Sequence, residues 1–272
     1  MINQSFVTTA RSIGDHVREW RQHRRLSQLD FALDVEISQK HLSFIESGRS
    51  VPSRDMVLRL AAQLDVPLRE RNLMLLAAGY APVFRERSLD DPALASARSA
   101  IDLVLKGHEP FPALAIDRKW TLVAANAALP PLLAIVADRS LLEPPVNVLR
   151  LSLHPGGLAP HIVNLPEWRA HLLDRLRHQI EVTADADLIA LLEELTTMPG
   201  GKGEAVGFRP SQKDYAGVLV PMQLRTPAGI LSFFSTTTIF GTPIDITLSE
   251  LAIEAFFPAD PDTAKALRRE TS

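Results

Sequence analysis

Apolar positions recur at helical spacing through the first eighty residues. Ile13, Val17 and Trp20 mark an amphipathic helix over 12–24. Ser27, with Asp30 three residues on, is a capping-box pattern that opens a second helix, whose inner face is read as Leu29, Ala32 and Leu33. Asp34 to Ile37 makes a tight turn, Ser38 caps a short third helix, and Gly48 ends it. Ser53 caps a fourth helix carrying Met56, Val57, Leu60, Ala61 and Leu64. Pro67 begins a fifth with Leu68, Leu75 and Leu76, closed by Gly79.

Beyond residue 80 the pattern changes. Residues 81–91 mix proline with charge and read as a linker. Asp91-Pro92 then starts a helix that runs to about Lys106. Phe111–Asp117 and Trp120–Asn126 alternate across a short polar turn and predict a β-hairpin. Helical spacing returns around 127–137, 166–180 and 185–197. Strands follow at Gly217–Arg225 and Gly229–Phe240, joined at Thr226 to Gly229, and a last helix is expected at about 248–256. The tail, Ala259–Arg269, reads as partly helical. The pattern predicts an all-α five-helix domain over 10–80, a linker over 81–91, and a second domain over 92–270. That second domain is an antiparallel sheet with helices on one face, so the fold class is α+β overall.

Length agrees with two domains, and an apolar fraction of 46% is enough to fill their cores. Residues 1–80 hold 11 Lys and Arg against 9 Asp and Glu, while the remainder holds 18 against 23. A mildly basic head on an acidic body suits a head that meets phosphates. Cysteine is absent, which excludes disulfides and thiolate chemistry and suits a reducing compartment. No apolar run spans a bilayer, and the N-terminus lacks the layout of a secretory signal. A cytoplasmic protein with no membrane partner is expected.

The third helix carries the most informative chemistry. At about 100° per residue, Leu42 and Ile45 point inward, with Ser38 nearby. Gln39, Lys40, Ser43, Phe44 and Ser47 share the opposite face. That face suits base edges: Gln bonds adenine, Lys bonds guanine, and an aromatic ring touches a thymine methyl. His41 lies between the two faces, placed equally for phosphate or for packing.

Other signals carry less. Of the eight histidines, His171 and His178 fall two turns apart on one helix, too far for a shared ion without an intervening ligand, so no metal or cofactor is expected. The glycines at 199–203 lack P-loop spacing and read as a flexible turn. Thr236 to Thr238 fit a strand, Glu193-Glu194 a solvated helix, and no nucleophile elbow or zinc-protease motif occurs. A non-enzyme is expected.

Residues 13–80 resemble the XRE family of helix-turn-helix regulators, which includes the lambdoid phage repressors and Cro. The likeness rests on Ser27-Gln28, on Ser38-Gln39-Lys40-His41, and on Ile45-Glu46-Ser47-Gly48. It implies that Gln28 clamps phosphate, that Gln39, Lys40 and Phe44 contact bases, and that Ser43 and Arg49 touch the backbone. Ser38 and His41 fall within the same DNA-binding set. The resemblance also makes Arg21 and Glu46 a buried structural pair, which leaves Arg24 and Arg25 as electrostatic candidates or simply as a solvated cluster. The partner implied is an operator duplex bound by a homodimer.

The remainder resembles the ligand-binding domain of MmyB-like transcription regulators, a PAS-like fold. The matching stretches are Trp120 to Asn126, Leu151 to Gly157, Phe240 to Pro243 with Asp245, and Glu250 to Asp260. The likeness implies a small, fatty-acid-like apolar ligand. By strand alternation Leu114 and Ile116 share a face, as do Leu122, Ala124 and Asn126, and as do Val218, Val220, Met222 and Leu224. Phe233 and Phe234 point oppositely. The pocket candidates are Leu114, Ile116, Leu122, Asn126, Met222 and Phe233, with Asn126 alternatively a cap for the following helix. A ligand-independent, antitoxin-like repressor with a protein-interaction module in this position is the other reading.

Overall fold

The computed structural model describes residues 11–199, 220–240 and 245–269. The described residues up to Glu86, with Asp245 and Ile246, form one compact unit, and the others form a second.

The first unit holds five helices: α1 (Ile13–His23), α2 (Gln28–Asp34), α3 (Gln39–Glu46), α4 (Arg54–Gln63) and α5 (Leu68–Ala77). Ser12, Ser27, Ser38 and Ser53 each cap a helix by accepting the backbone N–H three residues on, which satisfies a donor the helix leaves orphaned. The core is built on Val17, Phe31, Leu42, Ile45, Val57, Leu60 and Leu75. α2 turns a different stripe inward from the one expected. Phe31, Ala32 and Val35 are buried, whereas Leu29 and Leu33 are 52% and 67% exposed. In so short a helix two apolar stripes compete, and the stripe with the aromatic ring buries more area. Leu76 is likewise exposed, and Met74 and Leu75 take the core.

α1 crosses α3 so closely that a Cβ on Gly14 would sit 2.6 Å from the Ile45 carbonyl oxygen and 2.8 Å from that of Glu46. Gly48, at φ +73, closes α3 in the left-handed region. The start of the expected linker is held on this unit. Asn72 Oδ1 accepts the N–H groups of Val83 and Phe84, and Arg69 pairs with Glu86. Ile246 N–H donates to the Arg85 carbonyl.

In the second unit Asp91 caps a 3-10 turn at Pro92–Leu94 that leads into α6 (Ala95–Gly107). The hairpin of β1 (Ala113–Ile116) and β2 (Leu122–Ala125) follows, then α7 (Leu129–Leu133), α8 (Val148–Leu153), α9 (Leu165–Thr183) and α10 (Ala186–Thr197). The chain continues through β3 (Met222–Thr226), β4 (Gly229–Ile239), α11 (Ile246–Ser249), β5 (Ala252–Pro258) and α12 (Pro261–Arg269). The strands form one antiparallel sheet in the order β2-β1-β5-β4-β3.

The helix expected at 248–256 is therefore corrected. Those residues hold the end of α11 and most of β5, the middle strand of the sheet. A middle strand covered on both faces reads as a continuous apolar run without alternation, and Leu, Ala and Glu are strong helix formers. Both faces are covered here. Ile101 and Leu105 of α6 pack on Ala113, Ala115 and Ile253, while the helices after β2 cover the other side. Helices thus lie on both faces, where one was expected. Residues 200–203 of the turn read at 199–203, the residues 217–219 of the expected strand (Val218 among them) and the motif residues 241–243 lie outside the described residues.

β2 carries a bulge. Ala115 pairs with Ala124 and Ile116 with Leu122, so Val123 is the extra residue. The bulge sends Leu122 to the face of Leu114 and Ile116, and Ala124 to the face of α6. Among the described residues no helix is long and apolar enough to cross a membrane.

Candidate nucleic-acid interface and ligand cavity

α3 is anchored from beneath by Glu46. Its carboxylate receives Arg21 Nε at 2.6 Å and Arg21 Nη2 at 2.9 Å, with both side chains buried. Gln28 Nε2 donates to the same carboxylate at 2.8 Å. Arg18 adds a bond of 2.6 Å to the Glu46 carbonyl, at the C-terminal end of α3 where a cation is favoured. Gln28, read as a phosphate clamp, thus has its amide engaged in bracing the pair. Arg24, read as an electrostatic candidate or part of a solvated cluster, is engaged as well. Its guanidinium donates to the Leu64 and Asp65 carbonyls and lies 5.2 Å from the Trp20 ring centre, so it caps the end of α4. Arg25 is exposed.

With Leu42, Ile45 and Glu46 buried, the rest of α3 faces outward. Gln39, Lys40 and Ser47 are exposed, while Ser43, Phe44 and His41 are half-buried. Ser38 is exposed at the cap position, where its hydroxyl accepts the His41 N–H. Arg49, just past the helix, is exposed. Lys40 Nζ and the Arg49 guanidinium each lie 5.7 Å from the centre of the Phe44 ring. The ring therefore holds two cations on the outward side by cation–π attraction. The structure brings Gln39, Lys40, Phe44 and Arg49 into one basic, amide-bearing patch.

The second unit holds a cavity of about 80 Å³ between the sheet and the helices that follow β2. Every lining side chain is apolar except Ser152 and Glu254. Four of the six pocket candidates, Leu114, Leu122, Met222 and Phe233, line it. Ile116 packs in the same core without lining the cavity. Asn126 does not reach the cavity. The shift of register at the bulge turns it toward α6, where Nδ2 donates to the Leu105 and Phe111 carbonyls and Oδ1 accepts the Ala113 N–H. Nor does its side chain cap the following helix. It ties three backbone segments together.

Lining residues that sequence reasoning missed include Trp168, Phe256 and Glu254. Trp168 Nε1 donates to Ser152 Oγ at 3.0 Å. Arg175 pairs with Glu254 and lies 4.9 Å from the Trp120 ring centre. Burial holds the nearby His171 below its ordinary pKa, and Arg175 adds to that shift while Glu254 opposes it. Phe256 and Glu254 alternate with Ile253 and Ala255 on β5, a pattern legible only once the segment is read as a strand.

A helix-turn-helix unit with a polar outward helix, followed by a sheet unit around an apolar cavity, defines a DNA-binding transcription regulator with a ligand-binding domain. The family model for the MmyB-like transcription regulator ligand binding domain matches residues 97–269, and a helix-turn-helix model matches residues 17–71. The chain belongs to the MmyB-like transcription regulators. No curated protein matches it.

Proposed function

We propose that the chain reads a specific duplex sequence through α3 as a homodimer, and that a small, largely apolar molecule in the cavity of the second unit sets its regulatory state. The outward patch of α3 carries the first half of this reading. Gln39 and Lys40 are exposed on a helix whose other side is fixed by a buried ion pair, so their side chains are free for base edges. Arg49, beside Phe44, is placed for backbone phosphate. A homodimer doubles the few base pairs one unit can read, with half-sites about one helical turn apart.

The cavity carries the second half. Its apolar wall suits a ligand whose body is hydrocarbon, in line with the fatty-acid-like body the family resemblance implies. Ligand shifts the protein only through unequal affinity for two states. On this reading the chain acts by binding in the cytoplasm, without catalysis.

Changing Gln39 or Lys40 to Ala is expected to cost about 1–3 kcal/mol on the cognate operator and to relax base preference at a single position. Titrations on an operator and its single-base variants measure this. A uniform loss on every duplex would assign the two residues to phosphate alone.

A further inference from the structure

Phe44 lies on the outward side of α3. Its ring is half-buried, although Phe44 is not among the apolar residues that pack on the core of its unit. Lys40 stands one turn before it, at the i, i+4 spacing that lets helical side chains meet. Arg49 is brought back to it by the chain. Gly48 turns at φ +73, and the Phe44 carbonyl accepts the N–H groups of Arg49 at 2.8 Å and of Ser50 at 3.1 Å. The Lys40 ammonium and the Arg49 guanidinium converge on the ring, each 5.7 Å from its centre. Among the described residues neither charged group has a carboxylate partner.

We propose that Phe44 is a positioning residue. Its ring pre-sets Lys40 for a base edge and Arg49 for a phosphate, and it contributes to operator affinity through these two cations rather than by touching a base. This rests on α3 reading the duplex, as proposed above. Lys and Arg side chains are rich in rotamers, and ordering each one on binding costs affinity. The ring face attracts both cations, so part of that ordering is complete before the duplex arrives. Two like charges gathered at one ring repel each other, and among the described residues no carboxylate offsets them. The phosphates of a duplex do. The pair is thus arranged for a polyanion. A leucine at position 44 would still offer an apolar contact to a thymine methyl, but no π face to the cations. That difference separates positioning from direct base contact. Because Phe44 stands outside the core, the exchange leaves the packing of Leu42 and Ile45 in place.

The test is fluorescence-anisotropy titration of the full chain on the duplex that the wild type enriches most from a randomised pool. Phe44→Leu is expected to bind about tenfold more weakly. Phe44→Tyr, which keeps the ring face, should bind within about twofold of the wild type. Lys40→Ala should cost less in the Phe44→Leu background than in the wild type, the non-additivity of two residues that act together. In the free wild type the ring should move the Lys40 ε-methylene and Arg49 δ-methylene proton resonances upfield, and Phe44→Leu should return them to ordinary positions. Phe44→Leu binding like the wild type, Phe44→Tyr binding as weakly as Phe44→Leu, or Lys40→Ala costing the same in both backgrounds would overturn the positioning role and leave α3 as the reader of the duplex. A wild type that enriches no duplex would remove that reading and this inference with it. Should Phe44→Leu fail to fold, the wild-type resonances decide, and unshifted methylenes would overturn the proposal.

Discussion

Glu46→Ala is expected to destabilise the helical unit by about 3–5 kcal/mol, the cost of stripping one partner from a buried ion pair. Arg21 is 8% exposed and both of its bonds to Glu46 would be lost. Its Nη1 would keep the Leu26 carbonyl, leaving a guanidinium that is charged, enclosed and short of acceptors. The Gln28 amide would lose its acceptor in the same step. Denaturant unfolding followed by far-UV circular dichroism checks this, with the midpoint falling at an unchanged slope. Replacing both partners, as Arg21→Met with Glu46→Leu, should cost less than either single change, because no charge is then left unpaired. An unaltered midpoint in Glu46→Ala together with a changed base preference would move Glu46 from the anchor of α3 to its reading face.

Asn126→Ala is expected to destabilise the sheet unit by about 3 kcal/mol. The side chain is 6% exposed and serves three backbone groups: the carbonyls of Leu105 and Phe111 and the N–H of Ala113. These belong to the end of α6, the approach to β1 and β1 itself, so one amide fastens a helix to the first strand. Alanine leaves all three groups without that partner in a place water reaches poorly. Asn126→Asp should not rescue the fold, because a carboxylate cannot donate to the two carbonyls. Thermal unfolding measures the loss, and an unchanged midpoint would contradict the structural role given to Asn126.

What the sequence makes legible follows from how local each signal is. The serine caps at Ser27, Ser38 and Ser53, the burial of Leu42 and Ile45, and the exposure of Gln39 and Lys40 depend on one turn of helix, so periodicity and capping chemistry suffice. The β1–β2 hairpin is equally local. Signals that depend on what lies above an element are hidden. Leu29 and Leu33 form as regular a stripe as Phe31 and Val35, and only the packed partners decide which turns inward. β5 lacks alternation because α6 covers one face and the cavity side the other. With β5 read as a helix, Glu254 has no sheet neighbours, and its place in the cavity wall cannot be found. The bulge at Val123 costs one residue of register, which is enough to move Ala124 and Asn126 from the expected face to the opposite one. Arg24 reads as a free cation because the carbonyls it caps lie forty residues along the chain.

Selection of bound sites from a pool of randomised duplexes by the full chain tests most directly whether α3 reads bases. The expected result is an enriched motif of two half-sites about one helical turn apart, with Gln39→Ala losing preference at one position of each half-site. Recovery of duplexes no different in sequence from the starting pool would contradict the account.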